Sequence, residues 1–140
     1  TELGVTKITP IVSERTEVKE LNLERAKKIA IGASEQSNQL FPPEISKVTN
    51  LKDFLKNLDG STKLLFADVN SKNNLKKEIL KEANFFSLLI GPEGDFSPNE
   101  RELINSKSNT YSFSLSKNIL RSDTAVISAI SLVKFVLNEH

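Results

Sequence analysis

The run Phe85-Phe86-Ser87-Leu88-Leu89-Ile90-Gly91-Pro92-Glu93-Gly94-Asp95-Phe96-Ser97-Pro98-Asn99-Glu100 places a strand, a glycine loop and a helix start in immediate succession. Phe85 to Ile90 has the length and apolar character of a central strand in a parallel sheet buried on both faces. Ser97 to Glu100 is a near-ideal helix start. The Ser97 hydroxyl caps, Pro98 tolerates the first helical position, and Glu100 reaches back to the cap amide. That helix is expected to run to about Ser106.

Outward from this unit, strands and helices alternate. Upstream, Val5 to Val12 reads as a short strand, limited by Pro10, which has no N–H for a ladder. Leu23, Ala26, Ala30, Ala33 and Ser37 recur at helical spacing behind Asn22 as a cap, and this helix ends before Pro42-Pro43. Asn50 caps a second helix with Leu51, Phe54, Leu55 and Leu58 on one side, stopped by Asp59-Gly60. Lys63 to Val69 reads as a buried strand and Leu75 to Leu80 as a short helix. Downstream, Thr110 to Leu115 alternates as a strand. Thr124 to Asn138 forms the last helix, with Ala125, Ala129, Leu132, Val133, Val136 and Leu137 on a wide apolar face. The alternation implies an α/β layered fold with a largely parallel sheet.

The chain has 140 residues, which reads as one domain, and its lack of methionine fits a piece of a longer protein. Hydrophobic residues at 38% and charged residues at 26% exclude a disordered or fibrous chain. Cysteine is absent, which removes disulfides, thiolate metal sites and thiol nucleophiles, and His140 is the lone histidine. No metal site is expected. The apolar runs fall far short of the roughly 18 residues of a membrane span, and no signal-peptide pattern is present. These features read as a soluble cytoplasmic domain. Nineteen basic residues against eighteen acidic ones give a net charge of +1. Ten of each precede residue 71, and nine and eight follow. Neither half carries the excess that gripping a nucleic-acid backbone unaided requires.

Ligands of open parallel sheets bind beyond the carboxyl ends of the strands, which singles out the loops Gly91 to Phe96 and Ser116 to Asp123. Glycines at 91 and 94 allow positive φ or close approach to a ligand. Glu93 and Asp95 oppose a phosphate and favour a cationic ligand. A tight turn with solvated acids is the plain alternative for the first loop. For the second, the alternatives are helix capping by Ser122 or Asp123 and a surface role for Arg121. Glu35-Gln36 reads as an exposed helix end.

Leu89 to Ser97 with Glu100, together with Leu115 and the run Ile119-Leu120-Arg121-Ser122-Asp123-Thr124-Ala125, resembles the two signatures of the RsmE family. These are the 16S rRNA uracil-N3 methyltransferases of the SPOUT superfamily. Glu2-Leu3-Gly4-Val5 with Arg15, and Glu24-Arg25 followed by Glu35-Gln36 and Pro43, extend the resemblance along nearly the whole chain. It implies a SPOUT-type parallel sheet flanked by helices, a C-terminal trefoil knot and a homodimer. Further implications are S-adenosylmethionine as methyl donor, methylation of uridine 1498 of 16S rRNA in the small ribosomal subunit, and an N-terminal PUA-like RNA-binding domain preceding residues 1–140.

By the same resemblance the donor pocket draws on Leu65, Phe66, Gly91, Pro92, Glu93, Gly94, Leu115, Ser116, Asn118, Ile119 and Leu120. Glu93, Arg121, Asp123 and Thr124 are the candidate catalytic residues. Methylating an imide nitrogen requires removal of its proton, and with histidine and cysteine effectively missing, Asp123 and Glu93 are the candidate bases. Arg121 would stabilise charge on the uracil carbonyl oxygens. The chain departs from the family pattern at Asp95 and Ser116, usually glycines, at Asn118 and Gln39, often arginines, at Asp123, usually glutamate, and at Ala26, often tryptophan. The alternative is a catalytically inactive SPOUT-fold module that binds RNA or the ribosome.

Overall fold

The computed structural model describes residues 1–17 and 20–137. The chain forms two compact units, Thr1–Lys56 and Asn57–His140. The helix end expected at Asn138, and His140, lie outside the described residues.

In the first unit the strand expected over Val5 to Val12 is split into β1 (Lys7–Ile8) and β2 (Ile11–Val12). Pro10 causes the break. Its carbonyl accepts the Thr49 N–H at 3.1 Å, while its ring nitrogen has no hydrogen to donate. β1 pairs in parallel with β3 (Glu44–Ile45), and β2 with β4 (Thr49–Asn50). The helix α1 (Leu23–Gln36) begins where the Asn22 side chain accepts the Arg25 N–H at 3.0 Å. It ends before Asn38, which takes a left-handed φ of 55°, and buries Ala30 and Ser34. The short helix α2 (Leu51–Asn57) starts with Asn50 Oδ1 accepting the Asp53 N–H at 2.8 Å and buries Leu51 and Leu55. Leu58, expected on the same face, lies one residue past its end.

The second unit is built on a three-stranded parallel sheet of β5 (Thr62–Ala67), β6 (Phe85–Ile90) and β7 (Thr110–Phe113) in the order β6-β5-β7. This corrects the expectation of a central strand over Phe85 to Ile90. Among the described residues β6 is an edge strand, with Phe85 66% exposed. The centre is β5, whose Leu64, Leu65 and Phe66 are fully buried. An apolar run of six residues suggests burial on both faces, yet only Leu89 of this strand is buried, because an edge position leaves one side of the strand without a neighbour.

In-register pairing aligns Leu65 with Leu88 and Tyr111, and Ala67 with Ile90 and Phe113. Because side chains alternate across a sheet, Leu65 and Phe113 share a face. There they form a core with Leu75 and with Ile79 and Leu80 of α3 (Lys77–Lys81), against which Leu132, Val133 and Val136 of α5 (Ser122–Val136) pack. The opposite face carries Phe66, whose ring meets that of Phe96 edge-on at 5.7 Å. It is covered from the side of α4 (Pro98–Ser106), where Ile104 is fully buried. α4 starts with the expected reciprocal cap: Ser97 Oγ accepts the Glu100 N–H at 3.3 Å, and Glu100 Oε1 accepts the Ser97 N–H at 3.0 Å. α5 begins two residues earlier than expected, at Ser122.

The outer edge of β7 is sealed by the segment after β5. Ser112 O accepts from Ser71 Oγ at 3.1 Å and Asn73 Nδ2 at 3.2 Å. The Ser114 N–H donates to Asn73 O at 2.9 Å, and the Tyr111 hydroxyl donates to Asn74 O at 2.8 Å. Capped backbone groups cannot template pairing with another chain.

Candidate functional site

Gly91 to Asp95 leaves the carboxyl end of β6 as a tight turn closed by the Asp95 N–H donating to Pro92 O at 2.8 Å. The left-handed position in this turn is Asp95, with φ of 61°. Aspartate tolerates that region better than most side chains, and here Oδ1 also accepts the Phe96 N–H at 2.8 Å. Gly91 serves close approach instead of positive φ. A Cβ there would lie 3.2 Å from Asp95 Oδ1 and 3.2 Å from the Phe96 ring. The sequence signal at 91 is therefore a packing requirement, and the backbone freedom expected of a glycine is exercised at an aspartate.

The second loop follows β7. Ser114 Oγ donates to Ser116 O at 3.1 Å, and Ser116 Oγ accepts the Asn118 N–H at 3.0 Å, so local bonds brace the segment before α5. Neither expected cap closes that helix. Arg121 occupies the cap position without a side-chain cap bond. Ser122 Oγ instead donates to Gly91 O at 3.4 Å, and Asp123 Oδ1 accepts the Thr124 N–H at 2.9 Å.

Between these two loops lies a cavity of about 260 Å³ at the carboxyl ends of β5 and β6. It brings together Gly91, Pro92, Glu93, Gly94, Leu115, Ser116, Asn118, Ile119 and Leu120, all expected in one pocket from the sequence. Leu65 and Phe66 are corrections. Both are fully buried, Leu65 in the core beside Phe113 and Phe66 against Phe96, so neither offers surface to a ligand. The strand reaches the cavity further along, through Ala67, Asp68 and Val69.

Arg121, Asp123 and Thr124 do not line the cavity. Ser122 and Ala125 do, as two positions three apart on one helix face. The remaining three are exposed, and Arg121 Nε lies 3.6 Å from Asp123 Oδ1 with both side chains largely in solvent. Glu35 and Gln36 are exposed at the last turn of α1, as read from the sequence.

Three carboxylates border the cavity: Asp68, Glu93 and Asp95. Arg101 from the first turn of α4 pairs with Asp68 and, at 2.5 Å, with Asp95 Oδ2. Its guanidinium carbon sits 6.0 Å from the centroid of the Phe66 ring. Glu93 is exposed. Sequence reasoning missed Asp68, Ser122 and Ala125. The rule that ligands sit beyond strand ends pointed to Asp68, whereas the helical phase that brings Ser122 and Ala125 inward depended on where α5 begins. Among the described residues no group of three or more metal-ligating side chains is assembled, and no helix is long and apolar enough to cross a membrane.

A parallel α/β unit with a cavity formed by a glycine loop at its strand ends and the turn before its last helix has its pocket where open parallel sheets hold their ligands. Residues 1–134 match the family of RNA methyltransferase domains, and the chain belongs to that family. It is 39% identical to the ribosomal RNA small subunit methyltransferase E of Rickettsia conorii over 100% of this chain and 57% of that protein. With the enzyme of the same name from Aquifex aeolicus it shares 35% identity over 95% of this chain and 58% of that protein. The chain thus spans little more than half the length of these relatives. The crystal structure of the Neisseria gonorrhoeae ribosomal RNA small subunit methyltransferase E bound to S-adenosylmethionine superposes with a TM-score of 0.88 at 29% identity, over 96% of this chain and 56% of that one. A Legionella pneumophila structure with bound S-adenosylmethionine superposes with a TM-score of 0.77 at 33% identity, over 96% and 57%.

Proposed function

We propose that this chain is the catalytic part of an S-adenosylmethionine-dependent methyltransferase that modifies N3 of a uridine, uridine 1498 by the family resemblance, in 16S rRNA of the small ribosomal subunit. The observation that carries the reading is the cavity itself: the two loops singled out by the sequence, separated by some twenty residues and a whole strand, meet around one space. The names and the bound ligand of the relatives point the same way.

The residues present suit such a donor. Leu115, Ile119 and Leu120 offer apolar surface for a flat ring, and the backbone of the glycine loop offers polar groups close by. The uneven charge of the cavity, three carboxylates against one guanidinium, favours a cation over a phosphate. S-adenosylmethionine, when bound, supplies an electrophilic methyl group on a sulfonium. Everything else falls to the chain. Asp123 removes the N3 proton, with its carboxylate oriented by the Thr124 N–H, and Arg121 beside it stabilises charge on the uracil carbonyl oxygens. Their exposure leaves room for an RNA base to approach from solvent. Glu93 on the rim offsets positive charge within the cavity.

The reading extends to a cytoplasmic homodimer, supported by Val126, Ile127 and Phe135, which stand 40%, 59% and 71% exposed on α5. It includes the trefoil-knotted path of the C-terminal segment, which the family resemblance implies. A near-neutral charge balance supports assigning the phosphate grip to a PUA-like RNA-binding domain outside these residues.

The decisive experiment incubates the protein, joined to its RNA-binding domain, with small ribosomal subunits and labelled donor, then maps the product by reverse transcription. N3-methyluridine at one site is the expected result. Donor binding without methyl transfer would establish the non-catalytic RNA-binding module instead, a reading favoured by the placement of Arg121, Asp123 and Thr124 outside the cavity.

A further inference from the structure

We infer that Arg101 is a positioning residue for the glycine loop, holding the loop corner at Asp95 and the end of β5 at Asp68 in the arrangement the donor requires. This rests on reading the cavity as the donor pocket. The cavity has two walls, the loop after β6 and the residues after β5. Arg101 joins them through side chains. It pairs with Asp68 and, at 2.5 Å, with Asp95, and both acids line the cavity.

Each end of this link is fixed by a second bond. Asp68 Oδ1 accepts the Asn70 N–H at 2.9 Å, and Asp95 Oδ1 accepts the Phe96 N–H at 2.8 Å. The Arg101 side chain is 15% exposed, and its guanidinium carbon lies 6.0 Å from the ring centroid of Phe66, a residue of the central strand. A planar fork with several donors meets two carboxylates at fixed angles. An ammonium is a point charge on a flexible stem and does not impose that geometry.

The loop is also the place where such a link matters. Asp95 sits at a φ of 61°, a region that costs a non-glycine side chain energy even where aspartate bears it better than most, so its neighbours help to hold it there. Its carboxylate lies where a Cβ on Gly91 would meet it at 3.2 Å, so a shift of Asp95 alters the space beside Gly91 as well. Releasing Asp95 from Arg101 therefore frees the corner and misplaces a negative charge at the cavity wall, while the sheet behind it remains.

The test uses this chain with S-adenosylmethionine as the probe and isothermal calorimetry at 25 °C as the readout. Arg101→Lys is expected to weaken donor binding about 10-fold, and Asp95→Asn, which tolerates the same φ but loses the ion pair, by about 3- to 10-fold. Because both act through one link, the double variant is expected to bind no more weakly than Arg101→Lys alone. In steady-state methylation, KM for the donor rises while kcat on saturating donor holds. A merely structural role would lower the unfolding temperature and leave the dissociation constant unmoved. Should Arg101→Lys fail to fold, Asp95→Asn decides, because its side chain is 40% exposed and bears little on the core. Wild-type binding with both variants within 2-fold overturns the positioning role alone. A wild-type chain that does not bind the donor overturns the reading of the pocket, and this inference with it.

Discussion

Ser122 Oγ donates to the carbonyl oxygen of Gly91 at 3.4 Å, joining the first turn of α5 to the end of β6. The two residues belong to the two loops whose composition sets them apart in the sequence, and their contact closes the cavity between those loops. The bond is long, so its own contribution is small. Its importance lies in placement, since Ser122 and Ala125 turn toward the cavity while Arg121, Asp123 and Thr124 do not.

Gly91 is the position where side-chain volume is least tolerable. Gly91→Val places carbon atoms where Asp95 Oδ1 and the Phe96 ring already stand at 3.2 Å from an added Cβ. Overpacking of this kind costs about 1–3 kcal/mol of stability, and donor affinity is expected to fall at least about 10-fold. Thermal unfolding and calorimetric titration read the two effects separately. Unchanged affinity would exclude the glycine loop from the donor pocket.

Asp123 stands outside the cavity beside Arg121. Asp123→Asn keeps the shape and loses the base. Donor affinity is expected to stay within about 2-fold while kcat falls by roughly 10²- to 10⁴-fold. Turnover at the wild-type rate would exclude Asp123 as the base and turn attention to Glu93.

Removing the seal on β7 should destabilise the fold and expose an edge. The double variant Ser71→Ala/Asn73→Ala strips both side-chain donors from Ser112 O. Its expected cost is about 1–3 kcal/mol, from roughly 0.5–1.5 kcal/mol for each of the two hydrogen bonds. Chemical denaturation measures that loss, and light scattering on storage is expected to show faster association than the wild type. Equal stability and equal scattering would show that the segment does not protect the edge.

Phe135 and Ile127 are 71% and 59% exposed on α5. If this helix mediates a homodimer, Phe135→Glu/Ile127→Lys should weaken self-association at least about 100-fold, as loss of two buried apolar anchors implies. Sedimentation equilibrium reads the change, with circular dichroism confirming the fold. A wild-type protein that sediments as a monomer at high concentration rules the dimer out.

The carboxyl of Asp59 is held below its ordinary value, chiefly by the Ser61 N–H, which donates to Oδ1 at 3.0 Å, and then by the Ser61 side chain. A folded pKa below the unfolded one gives stability that is present above about pH 3.9 and lost as pH falls through the folded value. Carbon-detected NMR titration should place the Asp59 midpoint below about 3.9. Ser61→Ala, which keeps the N–H, should return only part of the shift. A midpoint at or above the ordinary value would contradict the bond.

Much of the fold is legible residue by residue because short-range chemistry sets it. Ser97 and Glu100 announce the start of α4 by reciprocal capping, Asn22 and Asn50 announce α1 and α2, and Pro10 interrupts the first strand. The signals fail where the answer depends on distant partners. Phe85 to Ile90 reads as a buried central strand, yet it lies at the edge with only Leu89 buried, because lateral neighbours leave no mark on hydropathy. Leu65 and Phe66 belong to the strand that leads to the cavity, yet a strand contributes to a ligand site through its exit, so Asp68 takes the place expected for them.

By itself the sequence determined the helices, the longer strands and the two loops singled out for chemistry, though not the two-residue strands β3 and β4, since capping, period and glycine content act over a few residues. Only the tertiary structure decided that β5 is central, that Asp95 and not a glycine takes the left-handed turn, and that Arg101 gathers two of the three acids at the cavity. Those outcomes depend on which segments become neighbours when the sheet is buried on both faces, and burial is a property of the whole chain.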